Sequence, residues 1–232
     1  RVELGPEEAA LYEALRQQAL ERLATVDDAS QQKPFQILAE IMRLRRACCH
    51  PRLALPDSDL NGAKLAAFEE ILDELLENHH QALVFSQFVD HLAIIRETLN
   101  RKGVAYQYLD GSTPAIERKQ RVDAFQAGQG DVFLISLKAG GLGLNLTAAD
   151  YVIHMDPWWN PAVEDQASDR AHRIGQQRPV TIYRLVAQGT IEEKIVALHH
   201  HKRDLAEQLL EGSGVSGRIS AEDLLRLLKD EA

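Results

Sequence analysis

Residues 164–180 read EDQASDRAHRIGQQRPV and set Arg170 and Arg173 three positions apart, with Gln166 one turn earlier and Gly175 just beyond. Residues i and i+3 are neighbours on a helix face. Arginine is permanently charged and donates in a planar fork that matches phosphate oxygens. The chemistry on offer is neutralisation of a phosphoryl group. The same residues also permit a solvated face on which both arginines pair with Glu164, Asp165 and Asp169.

Two more segments carry unusual residues. SLKAGGLGLNLT (136–147) has glycines at 140, 141 and 143, which tolerate positive φ and let a ligand approach the backbone closely. Such loops can present N–H groups to phosphate. It is neither a P-loop nor a dinucleotide fingerprint by spacing, and a tight strand-to-strand connection is the alternative. MDPWWNP (155–161) places Trp158 and Trp159 beside two prolines. Burying both would demand a partner for each indole N–H, so an exposed contact surface is expected there.

Other clusters offer less. Cys48, Cys49 and His50 lack zinc-ligand spacing, and His199, His200 and His201 face different ways on a helix; no metal site is expected. Arg43, Arg45, Arg46 and Arg52 form the most basic patch, open between a solvated face and a phosphate contact. No Ser-His-Asp set, carboxylate pair or nucleophilic cysteine pattern stands out.

These residues need a scaffold. Helical spacing covers 5–23, a second helix begins near Pro34, and a third spans about 63–78, after a proline-containing connector at 50–62. Short apolar runs follow at 81–88, 104–109, 131–136, 150–155 and 180–186, alternating with helical segments at about 89–102, 113–126 and the arginine stretch. Thr113 and Pro114 suit a helix start, and Thr190 with Glu193 forms a capping box for a helix to about 210. Strands alternating with helices imply an α/β fold, a parallel sheet sandwiched by helices. The expected division is a helical lead-in (1–62), an α/β domain (63–210), and a linker with a short C-terminal helix (211–232).

The chain has 232 residues, 45% hydrophobic, enough to bury a core, and a net charge of −9. That charge excludes a general nucleic-acid binder but not a local basic strip on an acidic body. Adjacent cysteines are too close for ordinary disulfide geometry, which fits a reducing intracellular compartment. No apolar run approaches the ~20 residues that span a bilayer, so no membrane association is expected. The start at Arg1, without methionine, suggests a piece of something longer.

Taken in order, LVFSQF, YLDGST, SLKAGGLGLNLTAADYVIHMDPWWNP and QASDRAHRIGQQRPVTIYRLVAQGTIEEKI resemble the second motor lobe of the SWI/SNF family of helicase-like, DNA-dependent ATPases in helicase superfamily two. LRRACCHPRL resembles the helical segment that this family inserts between its lobes. The resemblance covers about residues 5–210. It implies a RecA-like lobe that works with ATP and Mg²⁺, both held mainly by an N-terminal RecA-like lobe, while double-stranded DNA runs across the two. It implies that Arg170 and Arg173 are arginine fingers with Gln166 beside them, and that Gly143 and Asn145 face the nucleotide. Ser86, Gln87, Gly111, Ser112, Ser136, Lys138 and Gly140 would contact the backbone of one DNA strand. Trp158 and Trp159 would couple hydrolysis to movement. Lys138 departs from the arginine common in the family and offers a point charge instead of a fork. A monomer that remodels a DNA-bound protein is the implied setting.

The chain contains neither a Walker A sequence nor an Asp-Glu-x-His box. The expectation is half of a composite site, inactive alone. A strand-separating helicase is the nearest rival; it shares HRIG but continues into Gly-Arg where this chain has Gln176 and Gln177. A non-catalytic docking module is the rival from another class.

Overall fold

The segments ALVFS and VFLIS are apolar along almost their whole length, and as β1 (Ala82–Ser86) and β3 (Val132–Ser136) they are buried at every residue. Only strands covered on both faces can be so. The computed structural model describes residues 1–27, 30, 32–140, 144–171, 176, 178–198 and 221–229. With β2 (Tyr106–Leu109), β4 (Tyr151–His154) and β5 (Thr181–Arg184) these strands form one sheet of order β2-β3-β1-β4-β5, parallel at every pairing. The parallel α/β architecture read from the alternating pattern is therefore present.

The helices follow the sequence signals closely. They are α1 (Pro6–Ala24), α2 (Lys33–Cys49), α3 (Ala63–Glu77), α4 (Val89–Lys102), α5 (Ala115–Gln126), the single turn α6 (Leu137–Gly140), α7 (Pro161–Ser168), α8 (described over 191–198) and α9 (Ala221–Leu228). The chain leaves β1 for the β2 edge through α4, then travels back through α5 and, after β4, through α7. Right-handed crossovers put helices of opposite travel on opposite faces. The packing agrees: Leu83, Phe85, Phe133, Ile135 and Val152 share one core with Phe125 of α5 and Ala167 of α7. On the other face α4 packs on β1 and β3.

By contacts the chain divides into two compact units: Lys64–Val186 with Arg1, and Val2–Ala63 with the described residues from Ala187 onward. The sequence division instead grouped 187–198 with the α/β part. In the helical unit Val2 bridges Ala187 in parallel, the Tyr12 hydroxyl accepts the Ile191 N–H at 2.8 Å, and Arg16 donates to the Leu228 carbonyl at 2.9 Å. The expected capping box at Thr190 closes one residue early. Thr190 Oγ1 accepts from the N–H of Glu192 at 3.2 Å, and the Glu193 carboxylate accepts from that of Gly189 at 2.9 Å.

The basic patch on α2 is not a continuous surface, because Arg45 is fully buried and Arg46 donates to the Leu53 carbonyl. His50 is held by its own loop: Nδ1 accepts from Arg52 N and Nε2 meets the Asn61 carbonyl at 3.0 Å. Gly62 has φ +81°, and a Cβ there would come within 2.6 Å of the His50 ring, so this turn demands glycine. The expected linker 211–217, the helix beyond 198 and His199–His201 lie outside the described residues.

Candidate functional site

In a parallel α/β sheet, polar loops gather at the carboxyl ends of the strands. Here the exits of β1, β2 and β3 meet in a depression of about 400 Å³ lined by Gln87, Val89, Asp110, Gly111, Ser112, Ser136 and Lys138. Five of the seven residues expected to contact DNA thus share one concavity, although they come from three segments of sequence. Lys138 is exposed and Gln87 half-buried, whereas Ser86 and Ser136 are buried. Gly140 ends α6.

Each wall has a local cause. At the β2 exit the Asp110 carboxylate accepts from Ser112 N at 2.8 Å and from its hydroxyl at 2.6 Å, forming an Asx-type turn. Those Ser112 bonds, with help from Tyr108, hold the Asp110 carboxyl below its usual range. Thr113 was expected to cap α5. It does not, because its hydroxyl turns back to accept the N–H of Asp110 at 3.1 Å, and the cap position falls to Pro114 with no side-chain bond.

At the β1 exit the Ser86 hydroxyl donates to Asp156, which also accepts the N–H of Gln87 at 3.2 Å. Ser86 in turn accepts from Phe88 N at 3.1 Å. Its side chain is committed within the protein, and the residue is fully buried. The Asp156 carboxylate thereby ties the β1 exit to the loop after β4. Lys64, buried in α3, donates to the neighbouring Met155 carbonyl at 2.9 Å.

That loop is the Trp158–Trp159 segment. Neither tryptophan is exposed as expected; both are half-buried, and Trp158 packs on the apolar core. Asn160 then caps α7, its side chain accepting from Ala162 N at 3.1 Å, and Pro161 occupies the first turn. Glu164 does not lie on a solvated face. It is buried, accepts the Trp158 N–H at 2.7 Å and pairs with Arg184 of β5. Burial raises the Glu164 pKa, and the Trp158 N–H and Arg184 act against that rise. Beside it, buried His154 lies 2.9 Å from the Ser168 hydroxyl. Burial, then the charge of Arg184, pushes the His154 pKa down to about 3.

α7 ends at Ser168, so Arg170 is in the following turn and not on the helix, and it is 2% exposed. Its carbonyl accepts the Leu146 N–H at 3.0 Å, which links this turn to the end of the glycine segment. Gln166 and Asn145 are exposed. Arg173, Gly143 and Gly175 lie outside the described residues. The sequence reading missed Gln176 as a structural element. Its amide donates to the carbonyls of Thr147, Ala149 and Ala171 at 3.0, 2.8 and 3.1 Å. A glutamine where a rival family has another residue was the available signal. Asp156, Glu164 and Lys64 gave a weaker one: charged residues inside otherwise apolar surroundings.

The parallel sheet with polar loops at its strand exits is an open α/β arrangement that presents a binding edge, and comparison with known proteins places it as a helicase-type C-terminal lobe. The sequence matches the helicase conserved C-terminal domain over residues 63–175. It is 40% identical over 230 residues to an uncharacterized ATP-dependent helicase of Mycoplasma pneumoniae, covering 98% of this chain and 22% of that protein. The fold superposes on the SWI2/SNF2 ATPase C-terminal domain of Sulfolobus solfataricus with a TM-score of 0.78, 29% identity and coverage of 100% and 96% of the two chains. It also superposes on the Sulfolobus solfataricus SWI2/SNF2 ATPase core in complex with dsDNA, with a TM-score of 0.77, 31% identity and coverage of 97% and 46%. The chain belongs to the SWI/SNF family as its C-terminal RecA-like lobe. It spans a quarter or less of the length of the curated relatives it matches.

Proposed function

We propose that this chain is the second motor lobe of an ATP-dependent double-stranded DNA translocase or remodelling ATPase, operating inside the cell in a longer polypeptide with an N-terminal RecA-like lobe. The reading rests chiefly on one observation: Gln87, Gly111, Ser112, Ser136 and Lys138 line a single depression at the strand exits. In this reading the depression takes the backbone of one DNA strand through backbone N–H groups, hydroxyls and the Lys138 ammonium. Such contacts position a duplex without reading its sequence.

Arg170 and Arg173 act on ATP delivered by the other lobe, with Gln166, Gly143 and Asn145 bordering the nucleotide. Phosphoryl transfer is catalysed by positioning and charge stabilisation, and a finger contributes only when the triphosphate is in place. In this reading Mg²⁺ travels with ATP on the other lobe. The Asp156–Ser86 and Glu164–Trp158 bonds support a coupling role for the tryptophan loop, since it is fastened to both the β1 exit and α7.

The test is ATP turnover by a two-lobed protein carrying this segment, with and without duplex DNA. Stimulation by duplex that is lost in Lys138→Ala supports the reading. Turnover indifferent to DNA contradicts it.

A further inference from the structure

Next to the depression, and sharing Asp110 and Ser112 with it, lies a second hollow of about 400 Å³ on the edge strand β2. Its polar wall is built around Arg96 of α4. The guanidinium carbon stands 4.6 Å from the centroid of the Tyr108 ring and 6.0 Å from that of Tyr106, and Nε donates to the Tyr106 hydroxyl at 3.3 Å. Nη1 and Nη2 of Arg96 make no hydrogen bond among the described residues. The other charges of the hollow are already engaged. Arg121 donates to the Tyr108 carbonyl and pairs with Glu117 at 3.0 Å. Asp110 accepts from Ser112 and from the Tyr108 hydroxyl at 2.7 Å.

Stacking on an aromatic face leaves the edge of a guanidinium open, and that edge is the fork that grips phosphate. A side chain already held by a ring and a hydroxyl loses little freedom on binding. In a chain of net charge −9, an exposed arginine fixed in this way next to a run of backbone N–H groups and hydroxyls is a selective feature.

We propose that Arg96, seated on Tyr106 and Tyr108, is a further phosphate clamp that lengthens the DNA track beyond Ser112 by one phosphodiester of the duplex. This rests on the reading of the depression as the DNA track. Duplex is favoured over an acidic peptide because the hollow is continuous with that depression and a bidentate fork suits a phosphodiester.

The experiment is duplex binding by this chain over a salt series, comparing Arg96→Gln, Arg96→Lys and Lys138→Ala. Neutralising one phosphate contributes about 0.9 to the slope of log affinity against log salt. Arg96→Gln is expected to weaken binding several-fold and to reduce the slope by about 0.9. Arg96→Lys should restore the slope but not the full affinity. If Lys138→Ala weakens binding and Arg96→Gln does not, the clamp is wrong and the track stands. If only Arg96→Gln weakens binding, the track through the depression falls, and with it the proposal that Arg96 extends that track. If neither changes it, both fall. If an Arg96-dependent partner turns out to be a polyglutamate peptide and not duplex, the clamp is refuted. Arg96 is exposed, so unchanged melting of the variants separates lost contact from lost fold.

Discussion

Glu164 accepts the backbone N–H of Trp158 at 2.7 Å while pairing with Arg184. One buried carboxylate thus joins the tryptophan loop, α7 and the edge strand β5. Glu164→Gln keeps the shape and leaves the Arg184 charge without its counterion. Removing one partner of a fully buried pair costs about 3–5 kcal/mol. Arg184 is a third exposed and water relieves part of that, so a loss of about 2–3 kcal/mol is expected. Urea unfolding of the two proteins checks it. A change too small to measure would show that Trp158 and Arg184 find other partners.

His154 sets a pH dependence. Its folded-state pKa is about 3, against about 6.5 unfolded. Between these values the unfolded chain binds a proton that the folded chain refuses. The stabilisation is therefore full above 6.5 and is lost as pH falls, by up to about 1.4 kcal/mol per pH unit. His154→Gln should flatten the stability profile between pH 6.5 and 4.5 relative to the unsubstituted chain. Parallel profiles would assign the acid sensitivity to other groups.

The two arginines should separate experimentally. Arg170 is buried in the turn after α7, so Arg170→Ala removes packing inside the lobe as well as any action on a nucleotide. A loss of about 2–4 kcal/mol in stability is expected, together with lost turnover in a two-lobed protein. On the proposed finger role, Arg173→Ala should lower DNA-stimulated turnover by about 10³–10⁵ while ATP affinity stays near normal, because such a group acts in the transition state. Turnover and nucleotide affinity measured together decide it; near-normal turnover makes Arg173 dispensable.

Alone, this chain should hydrolyse ATP no faster than buffer. The sequence carries no Walker A run, and on the proposed reading it supplies only charge stabilisation, which without a phosphate cradle does not position a triphosphate. DNA-stimulated phosphate release by the purified chain would overturn this.

Much of the fold was legible because its determinants are local. ALVFS and VFLIS are apolar runs of strand length, and Pro6 and Pro34 mark helix starts. What misled was tertiary. Thr113 looks like a cap but is drawn back to the Asp110 N–H. Arg170 looks like a helix-face residue, yet the helix stops two residues before it and Arg170 itself is buried. Glu164 looks solvated because its neighbours are charged, and only the arrival of Arg184, twenty residues later, accounts for its burial. The convergence of Gln87, Ser112 and Lys138 is a consequence of the strand order β2-β3-β1, which spacing along the chain does not reveal.

Gln176 provides the sharpest test of how the glycine segment is held. Its amide nitrogen shares two N–H bonds among three carbonyls, those of Thr147, Ala149 and Ala171. Gln176→Ala leaves those acceptors without their donor, at a cost of about 1–3 kcal/mol. Gln176→Glu should be worse at neutral pH, because an ionised carboxylate only accepts and would face three carbonyl oxygens. Protonation restores a donor, so the folded state raises the pKa of the new carboxyl above its unfolded value of about 4.3. The extra destabilisation should therefore vanish at low pH and grow as pH rises through the folded pKa. Thermal or urea unfolding of both variants at pH 4 and pH 7.5 measures the gap. Equal stabilities at the higher pH would show that Gln176 contributes shape alone.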